Sequence, residues 1–434
     1  MLAAAVGSAV GLGNIWKFPY EAGTNGGGAF LVVYLICVLL LGFPALITEL
    51  SIGRMAKTNP IDAFSSIVGN KCWNFVGAMG VLSAFLILCF YMVVAGWSLE
   101  YIYQTFATST FEGMNASALG TFFNNFAFSS YRPYVWLTIF IIATFLVIKV
   151  GIEKGIEKAS KILMPALFVI IIILSVYVAF LPGNAEGYQF YLNFDVSKIT
   201  PSVALSALGQ SFFSLSLASG VLLVYGSYMN KGNIVNTSLQ ISLFDTMIAV
   251  MAGFMIFPAV FAYGIEPSEG PSLAYIALPA VFSQMRGGMI ISLLFFSLLT
   301  IGAFTSTISL HEVLTSCLAD KLHITRFKSN IIVVIMLIIG AYGCCYSLTE
   351  NSLFYFGGRS LFTWFNDITS EYFLPLGGMV MSIFFGWFVS KQKVKATLTE
   401  FGMKPKFFPI YFIFVRYLIP LAIMMIMLQQ FGMF

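Results

Sequence analysis

One stretch near the start restricts this chain more than any other: Gly7-Ser8-Ala9-Val10-Gly11-Leu12-Gly13-Asn14-Ile15-Trp16-Lys17-Phe18-Pro19. It lies in an apolar, membrane-like segment, yet it is not expected to form one unbroken helix. Gly7, Gly11 and Gly13 weaken a helix, and Pro19 has no N–H with which to continue one. Non-helical backbone at membrane depth leaves amides and carbonyls that protein, water or an ion must satisfy, so such breaks line cavities. Unwound carbonyls suit a small hard cation, and the amides opening the next half-helix suit an anion. A glycine-rich packing face with a kink is the plainer alternative. Asn14 and Lys17 beside the break weigh against it, because polar groups inside a membrane are functional by default.

The rest of the chain supplies the membrane context. Of 434 residues, 59% are hydrophobic and 9% charged, against about 25% charged in soluble domains. That excludes a soluble enzyme with a single anchor. The net charge of +4 does not point to nucleic acid, because the basic residues lie between apolar runs. Most of the six cysteines sit in apolar runs, which indicates no disulfide framework. No cleavable signal peptide is apparent.

Runs of bilayer-spanning length, about 20 residues each, are expected near 1–20, 28–52, 75–103, 133–149, 159–181, 202–228, 236–263, 288–319, 329–348, 372–390 and 407–430. This predicts eleven spans, with the first broken. Sixteen Lys and Arg residues fall on one side and five on the other, with Arg416 inside the last span. The richer side is cytoplasmic by the positive-inside rule, so the N-terminus is inside and the C-terminus outside. The outer loop 264–287, opening Gly264-Ile265-Glu266-Pro267, is either a hairpin lid over the site or an ordinary surface loop.

The sixth span answers the first. It reads Gly209-Gln210-Ser211-Phe212-Phe213-Ser214-Leu215-Ser216-Leu217-Ala218-Ser219-Gly220, with small hydroxyl residues at mid-span. A serine-rich helix can be a packing interface. Interrupted segments in corresponding positions of two halves point instead to a transporter binding site. Spans one to five (1–181) and six to ten (202–390) then form inverted repeats, with 407–430 peripheral.

These residues carry a family resemblance. The Gly7–Pro19 stretch, Asn25-Gly26-Gly27-Gly28-Ala29-Phe30 and the Gly209–Ser214 segment resemble the neurotransmitter:sodium symporter family, in its bacterial amino-acid transporter branch. Gly151-Ile152-Glu153-Lys154-Gly155-Ile156-Glu157, Thr305-Ser306 and Leu374-Pro375-Leu376-Gly377-Gly378 match it further. The resemblance implies an all-α integral membrane protein of the LeuT fold, with 5+5 inverted repeats and broken helices one and six.

It also implies a site. The first sodium would meet the Ala9 carbonyl, Asn14, Ser214, Asp245 and the substrate carboxylate. The second would meet carbonyls of Gly7, Val10 and Gly302 with the hydroxyls of Thr305 and Ser306. These are oxygen donors, as a hard cation prefers. The substrate carboxylate would lie on the Leu12 and Gly13 amides and the Tyr91 hydroxyl, and its ammonium on carbonyls of Ala9 and Phe213. Ile87, Phe213, Ser216, Ser219, Ser306 and Leu310 would surround its side chain. Lys17 fits the basic member of an outer gate, and the acidic member aligns to Asn366, with Asp367 adjacent. Only six residues precede Gly7, where relatives carry a basic lead-in, so either the native chain starts earlier or the inner gate is built differently.

The implied activity is sodium-coupled import of a neutral amino acid across the plasma (inner) membrane by a monomer or weak dimer. Gly11 stands where monoamine carriers of the family place an aspartate, which favours amino acids over amines. Ser219 stands where relatives carry a bulkier residue, which favours a large hydrophobic or aromatic side chain. Asp245 supplies a fixed negative charge near Tyr34 and Gln210, the positions that help hold chloride in other members. Chloride is therefore not expected to be required. On the empty return step a proton would neutralise the bare carboxylate, which costs about 2.5–3.5 kcal/mol at mid-membrane.

The rival readings are weaker. His311-Glu312-Val313-Leu314-Thr315 begins like a zinc-protease motif, but Thr315 replaces the second histidine. His311 and Glu312 read more simply as a polar patch, and Glu49 and Asp320 as solvated residues near helix ends. A channel needs a continuous polar pore, which the paired breaks do not suggest. A carrier of another zwitterion or of an amine is the nearer alternative.

Overall fold

The computed structural model describes residues 2–108, 111, 113–129, 131–229, 232–264, 273–349 and 352–430. Among them, nine helices are long and apolar enough to cross a membrane: Gly28–Ala56, Lys71–Ala107, Arg132–Val150, Gly155–Ala179, Ile234–Ala262, Gly288–Lys321, Arg326–Tyr346, Leu361–Phe388 and Phe408–Leu428. These are spans two to five and seven to eleven. Spans one and six are in pieces. Span one runs as Leu2–Ala9, a wide turn at Gly13–Lys17, and Phe18–Thr24. Span six runs as Pro201–Ser214 and Val221–Tyr228. A two-residue hairpin, Tyr355–Phe356 with Arg359–Ser360, is the one sheet among the described residues.

The two interrupted spans are each the first of five and sit at the centre. Span one packs on spans seven and eight, span six on spans two and eight, and span three on span eight. Close backbone approach holds span two to the second half of span six. A Cβ on Gly53 would stand 2.2 Å from the Leu223 carbonyl oxygen, and one on Gly226 2.4 Å from that of Leu50. Span four leaves about two-thirds of its apolar window unburied (33% buried), and span five is exposed to a similar degree (28% buried). That is how a lipid-facing helix reads.

Three sequence expectations are corrected here. The break in span one falls at Val10–Gly11, and Pro19 lies in the first turn of the following helix, where a missing N–H costs nothing. Span ten begins at Leu361, not near 372, because Asn366, Asp367, Ser370 and Glu371 lower the hydropathy of a stretch that is nonetheless helical. Glu49 is not a solvated end residue: it is 1% exposed within span two and accepts a hydrogen bond from the Ala218 amide at 2.9 Å.

Of the outer loop, 265–272 lie outside the described residues. Its remainder, Leu273–Ala277 and Leu278–Gln284, is buried rather than a surface loop. The Tyr275 hydroxyl donates to the Val94 carbonyl at 2.9 Å, and Tyr101 donates to the Tyr275 carbonyl at 2.5 Å, which seats this segment on span three.

Candidate functional site

Local hydrogen bonds hold both edges of the break in span one. Its Leu2–Ala9 helix ends with the Val10 amide on the Val6 carbonyl, 2.9 Å. Beyond the break, Asn14 caps the gap: its Oδ1 accepts from the Gly11 amide at 2.9 Å. Its Nδ2 reaches across to Ser214 Oγ (2.9 Å), Asp245 Oδ1 (2.7 Å) and the Asp245 carbonyl (2.9 Å). Ser214 donates to both Asp245 carboxylate oxygens, at 2.9 and 3.0 Å. Tyr34 stands 3.4 Å from Asp245 Oδ2 and from Ser214 Oγ. Asn14, Ser214 and Asp245, from spans one, six and seven, thus form one buried oxygen-rich cluster. Gln210 does not join it; its amide donates to the Gly13 carbonyl at 2.7 Å.

A second group of oxygens lies between spans one and eight. Thr305 Oγ1 is 3.3 Å from the Val10 carbonyl oxygen and 3.1 Å from that of Gly302. The structure thereby brings three of the five residues proposed for the second sodium to one point. Ser306 Oγ turns instead to the Ser8 carbonyl, 3.4 Å away, and Gly7 packs against Ser160 of span five. Ser8 was not singled out in the sequence. Its carbonyl also accepts from Ser216 at 2.9 Å, linking the two breaks. A backbone acceptor leaves no signature in residue type, so only its place beside Ala9 hinted at it.

Between the breaks is a small cavity whose walls include Ala9, Gly13, Ile87, Tyr91, Phe213 and Ser216. Ser219, Ser306 and Leu310 of the predicted set line it too, whereas Gly11, Leu12 and Ser214 do not, and Ser8 and Leu374 line it unpredicted. The Tyr91 hydroxyl accepts from the Gly13 amide at 3.3 Å, beside the Leu12 amide and the Ser306 hydroxyl. Gly11 is wedged behind two of these lining residues: an added Cβ would lie 2.1 Å from Ser306 Oγ, 2.9 Å from Tyr91 Oη and 3.1 Å from the Gly302 carbonyl.

The Phe213 ring closes the cavity, and Lys17 Nζ stands 4.3 Å above that ring. Beyond it, Lys17, Glu21, Ser206, Asn366 and Asp367 line a second, larger cavity. Lys17 does not pair with the Asn366–Asp367 position aligned to the acidic member of the gate. Lys17 donates to Ser370 at 2.7 Å, one helical turn further in. Asp367 pairs with Arg359 at 2.9 Å and accepts from Asn366 at 3.1 Å. Arg359, on the adjoining hairpin, reaches this carboxylate without crossing the cavity.

The zinc-protease reading gains nothing. His311 Nε2 meets Asn330 Oδ1 at 2.7 Å, and Glu312 is held by Arg326 (2.9 and 2.7 Å) and Tyr228 (2.7 Å). Both residues are fully buried bridges between helices, not a loose polar patch.

Comparison with known proteins is consistent across sequence and structure. The model of the sodium:neurotransmitter symporter family matches residues 1–115 and 130–434. An uncharacterized sodium-dependent transporter of Bacillus subtilis, YhdH, is 35% identical and is aligned over 99% of this chain and 95% of its own length. A more distant human relative, the sodium- and chloride-dependent neutral and basic amino acid transporter B(0+), is 28% identical over 79% of this chain and 64% of its own. The crystal structure of MhsT in complex with L-phenylalanine superposes with a TM-score of 0.92, at 37% identity, covering 98% of this chain and 97% of that one.

Proposed function

The chain belongs to the sodium:neurotransmitter symporter family, and from that premise we propose that it imports a neutral amino acid with a large hydrophobic or aromatic side chain, coupled to sodium. The observation that carries this reading is the wedged Gly11. Gly11 bonds Asn14 through its amide and has no room for a side chain against Ser306, Tyr91 and the Gly302 carbonyl, so position 11 supplies no carboxylate of its own and that of the substrate can take the place. Apolar walls at Ile87, Phe213, Leu310 and Leu374 suit its side chain, and MhsT, which shares the fold, is bound to L-phenylalanine.

The roles follow from chemistry. The first sodium takes the Ala9 carbonyl, Asn14, Ser214, Asp245 and the substrate carboxylate. The second takes the Val10, Gly302 and Thr305 oxygens, with Gly7 and Ser306 completing it after small rotations. The Leu12 and Gly13 amides and Tyr91 orient the carboxylate, and the Ala9 and Phe213 carbonyls the ammonium. Phe213 under Lys17 separates the cavity from the recess at Asn366 and Asp367, so rotation of that ring admits substrate. Two cations and a zwitterion leave net positive charge in a low-dielectric site. Asp245 offsets it without chloride. The basic-residue bias orients the N-terminus to the cytoplasm and the C-terminus outside, in a monomer or weak dimer.

The test is uptake of L-phenylalanine into proteoliposomes under a sodium gradient, with counterflow. Uptake without sodium, or no counterflow, rejects the carrier reading. Binding of tyramine as tight as that of tyrosine rejects the role of Gly11. Thr305→Ala with Ser306→Ala is expected to flatten the sodium dependence of binding. Uptake by the parent is expected to be the same in chloride and in gluconate. Asp245→Ser is expected to be nearly inactive in gluconate and partly rescued by chloride; a chloride-requiring parent overturns this assignment.

A further inference from the structure

Arg416 lies within the first half of span eleven, and nothing in the transport site needs it. It sits in a wide turn, Phe414–Leu418, pressed against the end of span ten: a Cβ on Gly386 would be 2.8 Å from Arg416 Cα. Trp387 donates its indole N–H to the Arg416 carbonyl at 2.8 Å. Trp387 is the second-last residue of span ten, so Arg416 is level with the membrane boundary at which spans ten and eleven are joined. Three rings surround the guanidinium: Trp387 at 4.2 Å, Tyr417 at 5.5 Å and Phe412 at 5.7 Å. Lys391, opening the connecting helix Lys391–Glu400, stands 5.5 Å from the same Phe412 ring.

Two cations thus share one aromatic patch, and neither forms an ion pair or donates a side-chain hydrogen bond to another described residue. Arg416 Nε is buried without an acceptor. A guanidinium carries five N–H donors, and intramembrane charges are otherwise paired. Trp387 and Tyr417 are about half exposed. At this boundary a phospholipid headgroup is within reach as the acceptor. A phosphodiester fits the planar fork of arginine in bidentate fashion, the second cation favours a lipid with net negative charge, and the exposed rings offer a bed for its acyl chains.

We propose that Arg416 and Lys391, with Trp387, Phe412 and Tyr417, form a binding site for the phosphate of an anionic phospholipid at the junction of spans ten and eleven. Full-length protein is reconstituted in phosphatidylcholine with a minority of phosphatidylglycerol, taken into mild detergent, and weighed by native mass spectrometry. Retained phosphatidylglycerol is expected to fall about tenfold in Arg416→Gln, the scale of one charge-assisted bidentate contact. It is expected to fall less in Lys391→Gln and not at all in Lys149→Gln. Equal retention in Arg416→Gln, or equal retention of phosphatidylcholine by the parent, overturns the site. Displacement of the lipid by millimolar inorganic phosphate overturns the lipid in favour of a free anion. A readout on the unaltered protein guards against misfolded variants: phosphatidylglycerol brominated on its acyl chains is expected to quench tryptophan emission more than brominated phosphatidylcholine. Trp387→Phe is expected to remove the difference, and equal quenching by the two lipids in the parent also overturns the proposal.

Discussion

The two interrupted spans solve the same problem by opposite means. In span one the break is short, and no residue in it has a positive φ. The side chain of Asn14 caps it from within, and the absence of a side chain at Gly11 lets spans three and eight close on it. In span six the break covers Leu215–Gly220, and Ser216 and Ala218 are held at φ 54° and 61°, followed by Gly220 at 78°. Left-handed backbone costs an L-residue roughly 1–2 kcal/mol, so this segment needs outside support. It comes from Glu49 on the Ala218 amide and from the Ser8 carbonyl on Ser216. One break is fitted by what is missing, the other is clamped by what is added.

Substitutions separate these two designs. The largest effect is expected at Gly11. Gly11→Ala places a methyl against Ser306, Tyr91 and the Gly302 carbonyl and so displaces the Tyr91 hydroxyl from the carboxylate; loss of one hydrogen bond to a charged group, about 1.5–3 kcal/mol, corresponds to roughly 13- to 150-fold weaker amino-acid binding. Calorimetry of L-phenylalanine binding in sodium measures it, and unchanged affinity breaks the account of span one. Next is Glu49. Glu49→Ala strands the buried Ala218 amide, at a cost of about 1–3 kcal/mol. Glu49→Gln keeps an accepting oxygen and is expected to melt close to the parent. If both variants melt alike, the clamp is not the Ala218 hydrogen bond. Ser219→Phe fills the cavity wall beside the second break and is expected to shift preference toward smaller amino acids by about 1–3 kcal/mol, the worth of a methylene or so in an apolar pocket. An unchanged ranking in competition binding counts against that wall. The smallest effect belongs to Ala218→Gly, which relieves left-handed strain but frees the unfolded chain by about 0.4–1 kcal/mol. A melting point equal to or slightly above the parent is expected, and a large fall shows the strain is not there.

Some of this was legible from residue type and spacing. Glycines mark the break in span one and small hydroxyl residues that in span six, so both stood out, although Pro19 lies in the helix beyond the first break. The nine long helices carry the hydropathy that membranes demand. The cluster of Asn14, Ser214 and Asp245 was readable only through the family motif, because the three residues are far apart in sequence and meet through packing. Other features were hidden for physical reasons. The Ser8 carbonyl is backbone, present in every residue. Glu49 sits in a run where a carboxylate is expected near an end, and its partner is an amide freed by a break in another helix. The acidic gate position aligns to Asn366 with Asp367 beside it, but alignment shows only sequence neighbours, whereas Arg359 takes Asp367 through a hairpin that sequence does not display. Span ten looked short because polar residues that face a cavity subtract from hydropathy as much as those that face water.

The close seating of span two on the second half of span six has a mechanical consequence. With Gly53 and Gly226 each leaving no room for a methyl before the opposite backbone, the two helices cannot slide or twist past one another. They are one strut. The six residues from Leu215 to Gly220 are then the only covalent joint between that strut and the first half of span six, and a joint without a helical ladder transmits push but little torque. Any tilt of the strut can open one end of the molecule while the Pro201–Ser214 helix stays where it is. A disulfide tying span two to Val221–Tyr228 should leave transport running, whereas one that splints Ser214 to Val221 should stop it.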